Sequence, residues 1–209
     1  MSFQNQVTGL LFGAIAGLIG GYLGYQVVDG PFLGATGSDA TTRTPVSPLH
    51  VLAVSAPFVV VMIVLGITRL GYDLIWALAV TLLTPVIYFG AIHLAVEIYE
   101  VTSKIQESDG NNGLIFSMSV TGAVAAGLLA LLSNLVAARF DDLLPGIVFP
   151  ALLCGAFSGL GMLGNTVPVL SAMIPDFNLM TVGWQACFVW MLAAHGPDRR
   201  RVTAKSLRP

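Results

Sequence analysis

Charge is what this sequence has least of. Lys, Arg, Asp and Glu make up 10% of its 209 residues, whereas water-soluble domains carry about 25%. A chain of 21.9 kDa so poor in polar groups cannot cover a water-facing surface. With 56% hydrophobic residues and a mean hydropathy of +0.83, the apolar excess must face lipid. Cysteine is almost as scarce. Cys154 and Cys187 each fall inside an apolar stretch, so neither a disulfide scaffold nor a zinc ribbon is indicated. Each reads as a small apolar packing residue. No linker-like change of composition divides the chain, so a single transmembrane domain is expected over 1–198, followed by a basic cytoplasmic tail over 199–209.

In place of charge, the sequence has long apolar runs. A helix crosses a hydrocarbon core about 30 Å thick with roughly 20 apolar residues. Six charge-free stretches are long enough: one before Asp29, then those between Arg43 and Arg69, Asp73 and Glu97, Asp109 and Arg139, Asp142 and Asp176, and Asp176 and Asp198. They predict an all-α, polytopic helical bundle with spans at about 7–28, 49–68, 74–96, 113–137, 143–164 and 177–194, five or seven spans being the alternatives. The fifth stretch exceeds one span. Its remainder, 165–175, holds Pro168 and Pro175 and reads as a surface or re-entrant segment. The stretch 29–48, rich in Gly, Pro, Thr and Ser, reads as an exposed loop. The first span lacks a basic leader and exceeds the usual signal-peptide core, so it is expected to be retained.

Orientation follows from Lys and Arg. With the N-terminus in the cytoplasm, seven of the nine basic residues lie inside: Arg69, Arg139, Arg199, Arg200, Arg201, Lys205 and Arg208. Arg43 and Lys104 alone fall outside, as the positive-inside rule requires. The acidic residues gather on the outer side and give it a negative balance able to concentrate cations. A bacterial inner membrane is the expected location. The run Arg199-Arg200-Arg201 reads as a topology anchor against anionic lipid headgroups, not as a nucleic-acid site.

Glycine is abundant and placed. Gly9, Gly13, Gly17, Gly20, Gly21 and Gly24 recur at three- and four-residue spacing, within an arc of about 120° on the first helix. Gly155 and Gly159 repeat the idea on the fifth. Such faces let backbones approach closely in lipid, and packing within the bundle is expected ahead of a homo-oligomer or partner-subunit interface. Pro57, Pro85 and Pro150 sit inside the second, third and fifth spans, where each removes a backbone donor. Neutral midspan groups include Thr81, Thr84, Asn134 and Gln185.

The densest polar cluster ends the third span, where His93, Glu97, Glu100 and Lys104 share one helix face. His50 is expected at a similar depth on the second span. Two imidazoles with a carboxylate suit a transition metal, and two imidazoles alone suit a haem b, so His50, His93 and Glu97 form the candidate metal set. The competing reading is an interfacial helix end that simply meets water, and no resident cofactor is expected on that reading. The G-x-G-x-x-G run from Gly159 to Gly164 ends an apolar helix instead of following a strand, which removes the dinucleotide reading. Ser158 and His195 fall at different depths, too far apart for nucleophile and base, and catalysis is not expected. Three functional readings stand: a channel or carrier component for an ion or small solute, a non-catalytic helix-packing subunit of a larger membrane complex, and a metal- or haem-binding membrane protein.

Overall fold

A backbone in hydrocarbon must satisfy its own hydrogen bonds, and a continuous helix is the local way to do so. The structure is a computed structural model that describes residues 3–27, 48–70, 72–105, 110–137, 143–166 and 179–195. Its elements are α1 (Phe3–Val27), α2 (Pro48–Leu65), a π-helical turn (Gly66–Leu70), α3 (Leu74–Ile105), α4 (Gly110–Ala137), α5 (Leu143–Thr166) and α6 (Leu179–His195). No strand occurs among the described residues. Four of the helices are long and apolar enough to cross a membrane, through Gln6–Leu23, Val51–Thr68, Leu74–Thr102 and Asn112–Val136. Shorter apolar stretches, Gly146–Gly161 and Met180–Ala194, lie in α5 and α6. The expected loop over 29–48, apart from Pro48 at the start of α2, most of the expected re-entrant segment and the basic tail lie outside the described residues.

Consecutive helices pack side by side from α1 to α5, and α6 packs between α1 and α5. The contacts fix antiparallel neighbours. Gly9 meets Ala193 while Gly17 meets Val182, and Gly66 meets Trp76 while Phe58 meets Tyr88. The start of α1 and the end of α6 therefore share one face of the bundle.

α6 is the hub. From Met180 to Ala194 none of its residues is exposed, as expected of a helix that is apolar all round. The other helices each keep an outward apolar stripe. On α3 that stripe includes Leu74, Ile75, Leu78, Leu82 and Val86, each more than 60% exposed, a surface suited to lipid. The interior is filled by Phe58, Met62, Trp76, Leu129, Phe188 and Met191, none above 2% exposure.

Two elements depart from the expected boundaries. α3 does not stop near residue 96 but runs to Ile105, because a helix with a polar face is as well satisfied in water as in lipid. The Thr102 hydroxyl donates back to the Ile98 carbonyl at 2.8 Å. The link between α2 and α3 begins as a π-helical turn at Gly66, where the expected second span runs on to residue 68. Gly66 leaves room for the Trp76 indole, which lies directly against it. Tyr72 stacks on that indole at 4.2 Å, and its N–H donates to the Gly66 carbonyl at 2.9 Å. Asp73 then caps α3, its Oδ1 accepting the Trp76 N–H at 2.9 Å, a bond of a kind that contributes about 1 kcal/mol.

Candidate functional site

The polar groups buried in the described residues are neutral: Ser55, Thr84, Ser117, Thr121, Ser133, Asn134, Ser158, Thr181 and Gln185. Most hydroxyls on a helix return their proton to the backbone a turn earlier, as Thr121 does to the Ser117 carbonyl at 2.7 Å. Gln185 has no such local solution. Its side chain is long, fully buried, and placed near the middle of α6, so it reaches across the bundle instead.

Gln185 Nε2 donates to the Val54 carbonyl of α2 at 3.3 Å and to the Tyr88 hydroxyl oxygen of α3 at 3.0 Å. The Val54 carbonyl adjoins that of Ala53, whose intrahelical donor is the one Pro57 lacks. A carbonyl can only accept, so this contact fixes which end of the amide is nitrogen. Gln185 Oε1 is then left buried with no hydrogen-bond partner among the described residues. The Tyr88 oxygen accepts from the amide, and its own proton remains available to donate. An acceptor and a donor thus stand next to one another.

Aromatic rings form a wall alongside Gln185: Trp184 and Phe188, its neighbours on α6, stack at 5.7 Å. Phe58 closes from α2 at 5.5 Å from Trp184, and Tyr88 meets Trp184 edge-on at 5.4 Å. The Trp184 indole is itself anchored, Nε1 donating to the Gly122 carbonyl of α4 at 2.8 Å. Two helices, α2 and α3, therefore meet the Gln185 amide of α6 directly, while α4 holds the adjoining Trp184, an arrangement that offers a small neutral molecule a few directed bonds. Comparison with protein-family models, curated proteins and solved structures returns no match. The chemistry of the site has to be read from its own side chains.

Gly9, Gly13, Gly17, Gly20, Gly155 and Gly159 lie inside the bundle. A Cβ at Gly13 would stand 2.7 Å from the Gln185 carbonyl oxygen, and one at Gly17 would stand 2.5 Å from Val182 Cα, both on α6. Gly9 faces Ala193 of α6, and Gly20 faces the Val54 carbonyl of α2. Gly155 and Gly159 lie against Ser119 of α4. Gly24 falls in the last turn of α1. The α1 face is thus the cradle that lets α6 approach closely.

The candidate metal residues are not drawn into this centre. His93 and Glu97 are exposed on the flank of α3, and the His93 ring packs edge-on against Phe89 at 4.4 Å. His50 begins the second helix, at the level of Val96 when the register of Phe58 on Tyr88 is continued outward, but its side chain lies outside the described residues. Among the described residues no three His, Cys, Asp or Glu side chains gather as a metal ion would need. Glu100 is half-buried on the same helix, and the Lys104 side chain lies outside the described residues.

Two features had little or no signal in the sequence. Gln185 stood out only as one of several neutral midspan groups; its cost in hydrocarbon is the reason it must find partners on other helices. The nearness of Cys154 to Cys187 depends on the register of α5 on α6, which no local pattern encodes.

Proposed function

We propose that the chain is a channel or carrier component of a bacterial inner membrane, crossing it six times with both termini cytoplasmic, whose cargo is a small uncharged solute. The observation that carries this reading is Gln185, fully buried and open at Oε1 beside the Tyr88 hydroxyl. A solute with one donor and one acceptor completes both groups at once. Because an unpaired buried polar atom costs about 1–3 kcal/mol, binding such a molecule would relieve that cost. Neutral groups match a neutral cargo, since an ion in a low-dielectric interior needs compensating charge. Helices carrying Pro57, Pro85 and Pro150 add backbone carbonyls without their usual donors, a feature of transporter interiors.

The test is flux in liposomes reconstituted with the full chain, followed by light scattering with water, urea and glycerol as probes. At least one probe should cross faster than in empty liposomes, and Gln185→Leu should return that rate to the empty-liposome value while retaining its helical content. Flux indistinguishable from empty liposomes for all three, or undiminished by Gln185→Leu, overturns the proposal.

A second reading, a non-catalytic subunit of a larger membrane complex, is favoured by the broad outward stripe of α3, where Gly90 has open space over it. A partner helix would lie there and not on the glycine face of α1, which α6 occupies. Native mass spectrometry of gently extracted protein separates the two. Defined partner masses favour the subunit, and a monomer or homo-oligomer favours the carrier.

A further inference from the structure

Cys154 on α5 and Cys187 on α6 are the two cysteines of the chain, and both are free and buried, at 0% and 3% exposure. Independent contacts set the register between these helices. Phe157 lies beside Gly183, and Ser158 and Trp184 both lie against Gly122. Stepping one turn back along α5 and one turn forward along the antiparallel α6 brings Cys154 opposite Cys187 on the facing helix, both within the same buried cluster. As mere packing groups they would not need to meet. As a dithiol they are preassembled.

We propose that Cys154 and Cys187 are a redox site that closes reversibly to a disulfide, with a lipid-soluble quinone as the oxidant. The two S–H bonds break and one S–S bond forms; the quinone takes up the two electrons and two protons and leaves as quinol, so nothing else is consumed. Burial decides the class of oxidant. The thiols face apolar side chains within the bundle, where charged or strongly hydrated oxidants do not partition, whereas a neutral quinone dissolves in the surrounding hydrocarbon. The bond would tie α5 to α6 two residues from Gln185 and three from Trp184, beside the amide and its aromatic wall. The proposal holds whether or not that site passes a solute.

The experiment exposes the purified full chain, reconstituted in lipid, to a short-chain ubiquinone analogue, then denatures it and labels thiols with a maleimide. The expected result is loss of both labels, an intact mass lower by two hydrogens, a monomeric band, and recovery of both labels with dithiothreitol. Cys154→Ser and Cys187→Ser should each keep one label under the same treatment. Dithiodipyridine, an apolar disulfide, serves as a positive control for closure of the pair. Two labels after quinone exposure, or labels lost only through dimers between chains, overturn the proposal, and closure by dithiodipyridine but not by quinone overturns it equally.

Discussion

Gln185 on α6 and Val54 on α2 are 131 positions apart in the chain and joined by a 3.3 Å hydrogen bond across the bundle. The same amide nitrogen meets Tyr88 of α3, and the neighbouring Trp184 meets Gly122 of α4. Two consecutive residues of one short helix therefore link three others. Polar bonds of this kind between membrane helices contribute about 0.6 kcal/mol on average, so their weight lies more in fixing register than in holding the bundle together. The bulk of the cohesion comes from close packing, and the glycines decide how close.

The amide and the phenol should be energetically coupled. Gln185→Leu alone removes the unpaired Oε1 but strands the Tyr88 hydroxyl, a loss on the order of 1 kcal/mol. Adding Tyr88→Phe removes the stranded group as well. The double variant is expected to resist unfolding in detergent at least as well as the parent chain and better than Gln185→Leu. A double variant weaker than both single variants would show that the pair stabilises the bundle outright and is not held open for a ligand.

Glycine substitutions should divide sharply by position. At Gly13 a new methyl would press on the Gln185 carbonyl and on Ala186 Cα, at 2.7 and 2.8 Å. Backbone atoms cannot turn aside, so α1 must move off α6, at a cost of about 1–3 kcal/mol. At Gly90 nothing lies within 4 Å, and Ala there should gain up to about 1 kcal/mol from helix propensity. Thermal unfolding of Gly13→Ala and Gly90→Ala in the same detergent reads the contrast. Equal effects at the two sites would mean that the α1–α6 contact does not govern stability.

Much of this architecture was legible because lipid imposes simple rules. Charge-free stretches locate helices, since a charge in hydrocarbon is expensive, and the six described helices overlie the six stretches. The spacing of Gly9, Gly13 and Gly17 puts them on one face, and a helix lies close against that face. Which neighbour was not legible. The pairing of α1 with α6 depends on the whole circuit of the chain, and α6 carries no glycine stripe to answer that of α1. The extension of α3 to Ile105 was hidden for a different reason: charge marks where lipid ends, not where a helix ends. The convergence of Gln185, Tyr88 and Val54 was hidden because a single polar residue in an apolar run says that a partner exists, not where.

The antiparallel contact of α1 with α6 brings the start of one and the end of the other to the same face. Reporter fusions placed before α1 and after residue 209 should therefore give the same compartment signal, cytoplasmic by the distribution of Lys and Arg. Replacing Arg199, Arg200 and Arg201 with Asn should weaken the orientation without altering the helix content. Opposite signals from the two fusions would mean that one helix does not span.

The exposed pair His93 and Glu97 offers a metal at most one imidazole and one carboxylate from α3, four residues apart on one face. A site of that kind needs at least a third ligand to hold a transition metal against water, and His50 is the residue whose helix begins at the corresponding level. If the three residues act together, the purified chain should carry a stoichiometric metal, or a haem with its Soret absorption, and His93→Ala should lose it. If they form an interfacial helix end, the parent chain and His93→Ala should show the same negligible content by elemental analysis. We expect the second result, because both α3 side chains are exposed and no third ligand gathers with them among the described residues. A stoichiometric metal abolished by His93→Ala would reverse that expectation and move the functional centre from Gln185 to the outer end of α3.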